Sequence, residues 1–222
     1  MRNLPWFSPI RPLSLGFLVF VLLGLPQAGM ALPRGNPVPH LKSGQFALQV
    51  NLGTTTHPIT ISGWGVEDAK LNTTTGLFQF GAGDTSMIEL QVGSASASVA
   101  GGAASSGTFF GFGYHQLVGN PSSSPELGVL LKFTTRSDKD FEAYQADVGF
   151  GVSGHVSDGL RWYGAGAYSP LWGWAGGVEY WTDTPFALYG GLEMETSPNM
   201  TLGAEVSLVV ETSFHAFVTM AF

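Results

Sequence analysis

One all-β domain is what this 222-residue sequence predicts: a single up-and-down antiparallel transmembrane β-barrel of about twelve strands, with ten or eight as alternatives. Three observations predict it. Charged residues are only 11% of the chain, well below the roughly 25% of ordinary soluble domains. Glycine, at 31 residues, is about double its usual share, and aromatics reach 13%. Beyond residue 31, apolar side chains recur at every second position, and no stretch is long and apolar enough for a membrane helix.

Composition also removes several classes of function. Without cysteine there is no disulfide framework, no thiolate metal site and no lipid-anchored cysteine. The balance is acidic, which argues against a nucleic-acid partner. The glycine strings around Gly111 and Gly176 are not set between a strand and a helix, so they are not nucleotide loops. His40, His57, His115 and His155 are dispersed without ligand spacing, so no metal and no cofactor is expected.

Residues 1–31 read as a cleaved secretory leader. Arg2 and Arg11 flank an apolar run from Leu13 to Leu25, and Gly29-Met30-Ala31 offers a small-x-small cleavage site. Residues 32–43, with Pro33, Pro37 and Pro39, form an irregular lead-in. The barrel occupies 44–222. Phe46, Leu48, Val50 and Leu52 open the alternation, and weaker runs around Ile61 and Phe78 are strands or loop. Ile88, Leu90 and Val92 follow; later runs begin at Phe110, Leu127, Tyr144, Leu160, Trp172, Phe186, Met200 and Ser213. Asn120-Pro121, Ser137-Asp138, Ser153-Gly154, Ser169-Pro170, Asp183 to Pro185 and Ser197 to Asn199 read as the turns between them. Trp162, Tyr168, Trp172, Tyr180, Trp181 and Phe186 gather toward strand ends, as interfacial girdles require.

The last strand presents Phe214, Ala216, Val218, Met220 and Phe222 on one face, and the chain stops there, unblunted by charge or proline. This pattern resembles the final strand of small bacterial outer-membrane β-barrel proteins. The resemblance implies an outer-membrane location, outer-membrane lipid as a partner, and recognition of the C-terminal strand by the barrel-assembly machinery. With the C-terminus taken as periplasmic, counting back puts 53–56, 84–86, 119–125, 154–158, 183–185 and 211–213 outside. The Ser/Ala/Gly tract 94–106 then falls on the periplasmic side.

A soluble β-sandwich would alternate too, but its water-facing positions would not so often be Gly, Ala or Ser. The apolar face is therefore assigned to lipid. Phe110, Phe112, Val129, Leu131, Phe150, Trp172, Trp174, Leu188, Leu192, Val206, Leu208, Val218 and Phe222 carry it. The opposite phase sends Glu89, Lys132, Asp147, Arg161, Glu179, Glu193, Glu195, Glu205 and His215 into the lumen. An excess of carboxylates around a narrow pore attracts cations, so the expected role is porin-like passage of small solutes. Two alternatives stand beside it: a plugged structural barrel closed by carboxylate–Lys/Arg pairs, and a hydrolase acting on lipid through Ser213, His215 and Glu205.

Overall fold

The computed structural model describes residues 32–222 apart from 64, 100–104, 121–123, 139–140, 176–177, 183 and 209–210; the expected leader and Trp64 lie outside the described residues. Twelve strand segments follow in order. They are β1 (Phe46–Ile61), β2 (Gly65–Gly83), β3 (Ser86–Val99), β4 (Ser105–Val118), β5 (Glu126–Asp138) and β6 (Phe141–Ser157). Then come β7 (Leu160–Tyr168), β8 (Leu171–Ala175), β9 (Val178–Trp181), β10 (Phe186–Ser197), β11 (Met200–Leu208) and β12 (Thr212–Ala221).

All pairings are antiparallel, and β12 closes onto β1 from Ala47 opposite Ala221 to Thr56 opposite Thr212. Closure removes the free edge that a bilayer would leave without hydrogen-bond partners. The ring holds ten strands rather than twelve, because two pairs of segments are each one strand. Val148 faces Tyr168 and Gln145 faces Leu171, so β7 and β8 run along β6 in unbroken register through Ser169-Pro170. Along β9 and β10, Trp181 faces Trp172 and Phe186 faces Tyr168. That is five steps on one strand against four on the other, a bulge with Pro185 in it. Ser169-Pro170 and the described part of the second expected turn, 184–185, are thus kinks within long strands, and Asp183 lies outside the described residues.

Other boundaries also differ from the alternation. The Thr-rich 53–56 is inside β1, Ser153-Gly154 is inside β6, and the runs around Ile61 and Phe78 are both strand. The turns at 84–85, 119–125, 158–159 and 198–199 share the end of the barrel that carries Gly44 and Phe222, here the lower end. The turns after Ile61, Val99, Asp138, Ala175 and Leu208 lie at the upper end. The described parts of the Ser/Ala/Gly tract, 94–99 and 105–106, therefore lead to the end opposite to the one expected, because the three runs expected from Leu160, Trp172 and Phe186 form two strands and shift the count by one; 100–104 lie outside the described residues.

The upper end is narrower than the lower. β11 and β12 stop at Ser207 opposite Ser213. Above them β9 pairs directly with β1, Tyr180 against Ile61 and Trp181 against Thr60. Ten strands encircle the lower lumen and eight the upper.

Outward positions are apolar over a band and polar above it. On β1, Phe46, Leu48, Val50 and Leu52 give way to Thr54 and Thr56; on β3, Ile88, Leu90 and Val92 give way to Ser94 and Ser96. Four outward apolar residues on β1 and three on β3 form that band, within the nine to eleven residues a tilted membrane strand needs. Tyr144 stacks on Trp172 with ring centroids 6.0 Å apart, Trp174 meets Tyr144 edge-on, and Trp181 is half-exposed nearby, so an aromatic patch marks the upper border. Tyr180 is not part of it: its ring is buried inside the barrel.

Inside, the glycines have a specific use. Phe109, Tyr163, Tyr180, His215 and Phe217 point inward, and each stands in register with a glycine on the next strand: Gly93, Gly191, Gly173, Gly53 and Gly203. In every pair the ring lies over the glycine, where a Cβ would collide with it. The small inward residues, expected to leave a wide lumen, instead seat the neighbours' rings.

Candidate functional site

Residues 32–41 enter the lower lumen and are largely buried there, outside every strand. Prolines at 33, 37 and 39 remove three N–H donors and keep the segment extended, so the barrel wall must satisfy what remains. The inward carboxylates do so. Glu205 accepts the backbone N–H of Arg34 at 2.9 Å and of Gly35 at 2.8 Å, and the Tyr163 hydroxyl at 2.9 Å. The Arg34 side chain pairs with Glu211, and its Nε lies 3.4 Å from Asp147 Oδ1. Its other amino nitrogen donates to Ser169 Oγ at 3.2 Å, and Ser169 in turn donates to Asp147. Asn36 donates to Ser153 and Glu193, each at 3.2 Å, and His115 Nδ1 donates to the Asn36 carbonyl at 2.9 Å.

A second charged layer lies on β3 and β5. Lys132 Nζ is 2.8 Å from Glu89 and donates to the Pro33 carbonyl at 2.9 Å. Gln79 donates to the other Glu89 oxygen at 3.2 Å. Buried carboxylates and ammonium groups are tolerated only when paired and hydrogen-bonded in this way. The fit of the segment is close: at Gly128 a Cβ would come within 2.5 Å of the Pro37 carbonyl oxygen.

Of the residues expected to line the lumen, Glu89, Lys132, Asp147, Arg161, Glu193, Glu205 and His215 point inward. Arg161 bonds Glu126 at 2.5 Å and Ser153 at 2.8 Å. Glu195 shares that phase but is exposed at the lower mouth. Glu179 is a correction: it lies on the outer surface of β9 and is exposed. The run from Trp172 to Tyr180 is two strands that reverse after Ala175, and the pairing of Trp174 with Glu179 puts Glu179 on the outer face that Trp174 occupies. The residues assigned to lipid, among them Phe110, Leu131, Phe150, Leu188, Val206 and Val218, lie on the outer face.

Ser213, His215 and Glu205 all face inward and do not assemble. Among the described residues neither ring nitrogen of His215 has a hydrogen-bond partner, and both Glu205 oxygens are engaged by the segment. The alternation had not pointed to Arg34, Asn36, Tyr163, Ser169 or Tyr189. A signal for Arg34 was present: a lone guanidinium in the lead-in, ahead of strands whose inward phase is rich in unmatched carboxylates.

Above the segment, the eight-stranded part is filled by the wall's own side chains. Ile59, Leu71, Phe109, Leu171 and Tyr180 are buried there together with Arg136. Below it, the lumen opens at the lower mouth into a cavity of about 440 Å³. His40, Arg161, Glu193, Glu195, Asn199 and Thr201 are among its lining residues.

No protein-family model matches this sequence, and no curated protein matches it either. Solved structures do. An outer-membrane channel of Pseudomonas putida F1 is similar over 86% of this chain and 100% of its own, at 12% identity and a TM-score of 0.51. The translocator domain of the autotransporter NalP from Neisseria meningitidis is similar over 83% of this chain and 90% of its own, at 13% identity and a TM-score of 0.45. The fold is that of outer-membrane β-barrels.

Proposed function

We propose that this chain is a closed barrel of the bacterial outer membrane, whose lower lumen is a carboxylate-lined chamber occupied by its own residues 32–41. Of the two lumen readings, the plugged barrel is favoured over the open porin. The observation that carries this is the double filling: Arg34 and its segment below, the buried Ile59, Leu71, Phe109 and Tyr180 above. The carboxylates that would have drawn cations through a pore are engaged by Arg34, Lys132 and backbone N–H groups. This reading keeps outer-membrane lipid and the barrel-assembly machinery, engaged through β12, as partners, and residues 1–31 as a leader removed on export.

Porin-like passage of small cationic solutes is the second reading, favoured by the number of carboxylates facing inward. It needs both fillings to move. Conductance of the refolded protein in planar bilayers separates the two. A closed barrel gives no steps at moderate voltage, whereas steady, cation-selective steps from the unmodified chain would replace this reading with the channel.

A further inference from the structure

Arg34 is surrounded as a guanidinium binding site surrounds its ligand. Nη1 donates to Glu211 and to Ser207 Oγ, the latter at 3.4 Å; Nη2 donates to Ser169 Oγ at 3.2 Å. Nε faces Asp147 at 3.4 Å, and Cζ stands 5.6 Å from the centroid of the Tyr189 ring. Only 2% of the side chain is exposed. One carboxylate bonded at an amino nitrogen, a second carboxylate beside Nε, hydroxyl acceptors at both amino nitrogens and an aromatic ring within cation–π distance of Cζ form a several-sided setting that a planar guanidinium fills better than a compact ammonium.

These groups come from β6, the 169–170 kink, β10, β11 and Glu211, the residue before β12. The site is therefore a property of the closed wall, and the segment only delivers a ligand to it. That segment belongs to no strand, and it is held by the polar contacts of Arg34, Gly35 and Asn36 together with Leu41 packed against Ala47 and Met87. Further, the lower-mouth cavity adjoins it at His40 and Leu41 and carries Glu193 and Glu195 on the way in.

We infer that the lower lumen is a binding site for guanidinium-bearing molecules, free or carried on an extended peptide, that enter from the periplasmic mouth. Residues 32–41 occupy it as a built-in substitute ligand. The inference rests on the closed-chamber reading and names what the chamber takes.

The test is chemical rescue of the full-length Arg34→Ala variant, refolded in detergent and followed by its thermal transition. Guanidinium chloride is added at concentrations far below those that denature, with ammonium chloride at equal ionic strength and urea as comparisons. The variant is expected to melt below the unmodified protein, and guanidinium alone to recover part of the loss in a saturable way. Guanidinium should not raise the melting point of the unmodified protein, whose site is filled by Arg34. If the variant does not refold unaided, the yield of folded barrel becomes the readout, and guanidinium but not ammonium should raise it. Equal effects of the two cations, or none from either, would overturn the proposal. Such a result would leave the bilayer experiment untouched, because closure and guanidinium selectivity are measured separately.

Discussion

Glu205 and His215 stand opposite each other on β11 and β12, both buried, and no hydrogen bond joins them. The carboxylate is turned to the backbone of Arg34 and Gly35, and the imidazole lies over Gly53. A histidine without a carboxylate to orient it is not arranged as a general base. Ester hydrolysis by the refolded protein should therefore equal the buffer rate and be unchanged by Ser213→Ala. A rate above buffer that Ser213→Ala abolishes would restore the triad.

The same imidazole makes Gly53 sensitive. A Cβ at 53 would overlap the His215 ring, so Gly53→Ala should destabilise the barrel by about 1–3 kcal/mol, the range for overpacking. Adding His215→Ala should relieve part of that loss, with a coupling of about 1 kcal/mol in urea unfolding from lipid vesicles. Additive effects would show that the ring does not rest on Gly53.

Lys132 balances Glu89 at 2.8 Å in a buried layer. Lys132→Met leaves a carboxylate unpaired and should cost about 3–5 kcal/mol. Lys132→Met with Glu89→Gln removes both charges and should recover much of it. A double variant no more stable than the single one would mean that the pair is not the partnership that matters.

The apolar band gives a depth-dependent expectation. Val218 lies outward within it, and Thr56 lies outward above it on the neighbouring strand. Val218→Arg should destabilise the protein in vesicles by about 2–4 kcal/mol, and Thr56→Arg by about 0–1 kcal/mol. Equal costs would contradict the placement of the band. In detergent micelles the two should converge, since a micelle adapts to a charge more easily.

Much of the wall was legible because a strand's two faces alternate whatever its neighbours do. Phe46 to Leu52, Ile88 to Val92 and Phe214 to Phe222 declared an apolar outer face, and Glu89, Asp147 and Glu205 an inner one, before any pairing was known. What failed was punctuation. Ser169-Pro170 and Asp183 to Pro185 have the composition of turns, yet the ladder with β6 runs straight past the first, and the pairing of β9 and β10 with β8 and β7 takes in Pro185 as a bulge. Local composition marks where a backbone departs from regularity. It does not distinguish a reversal from a kink, and the unbroken alternation from Trp172 to Tyr180 hid the true reversal after Ala175, which placed Glu179 inside and the Ser/Ala/Gly tract below.

The sequence by itself determined that this chain forms membrane-compatible strands with one greasy and one polar face, because side-chain alternation is a property of each strand alone. Only the tertiary structure decided what the polar face does. Glycines that suggested an open channel prove to be seats for inward rings, and carboxylates that suggested a cation path hold Arg34. Both outcomes depend on which residues closure of the ring brings into register and on a proline-rich segment folding back into it. Those contacts join positions as distant as Arg34 and Glu211, and no local pattern encodes them.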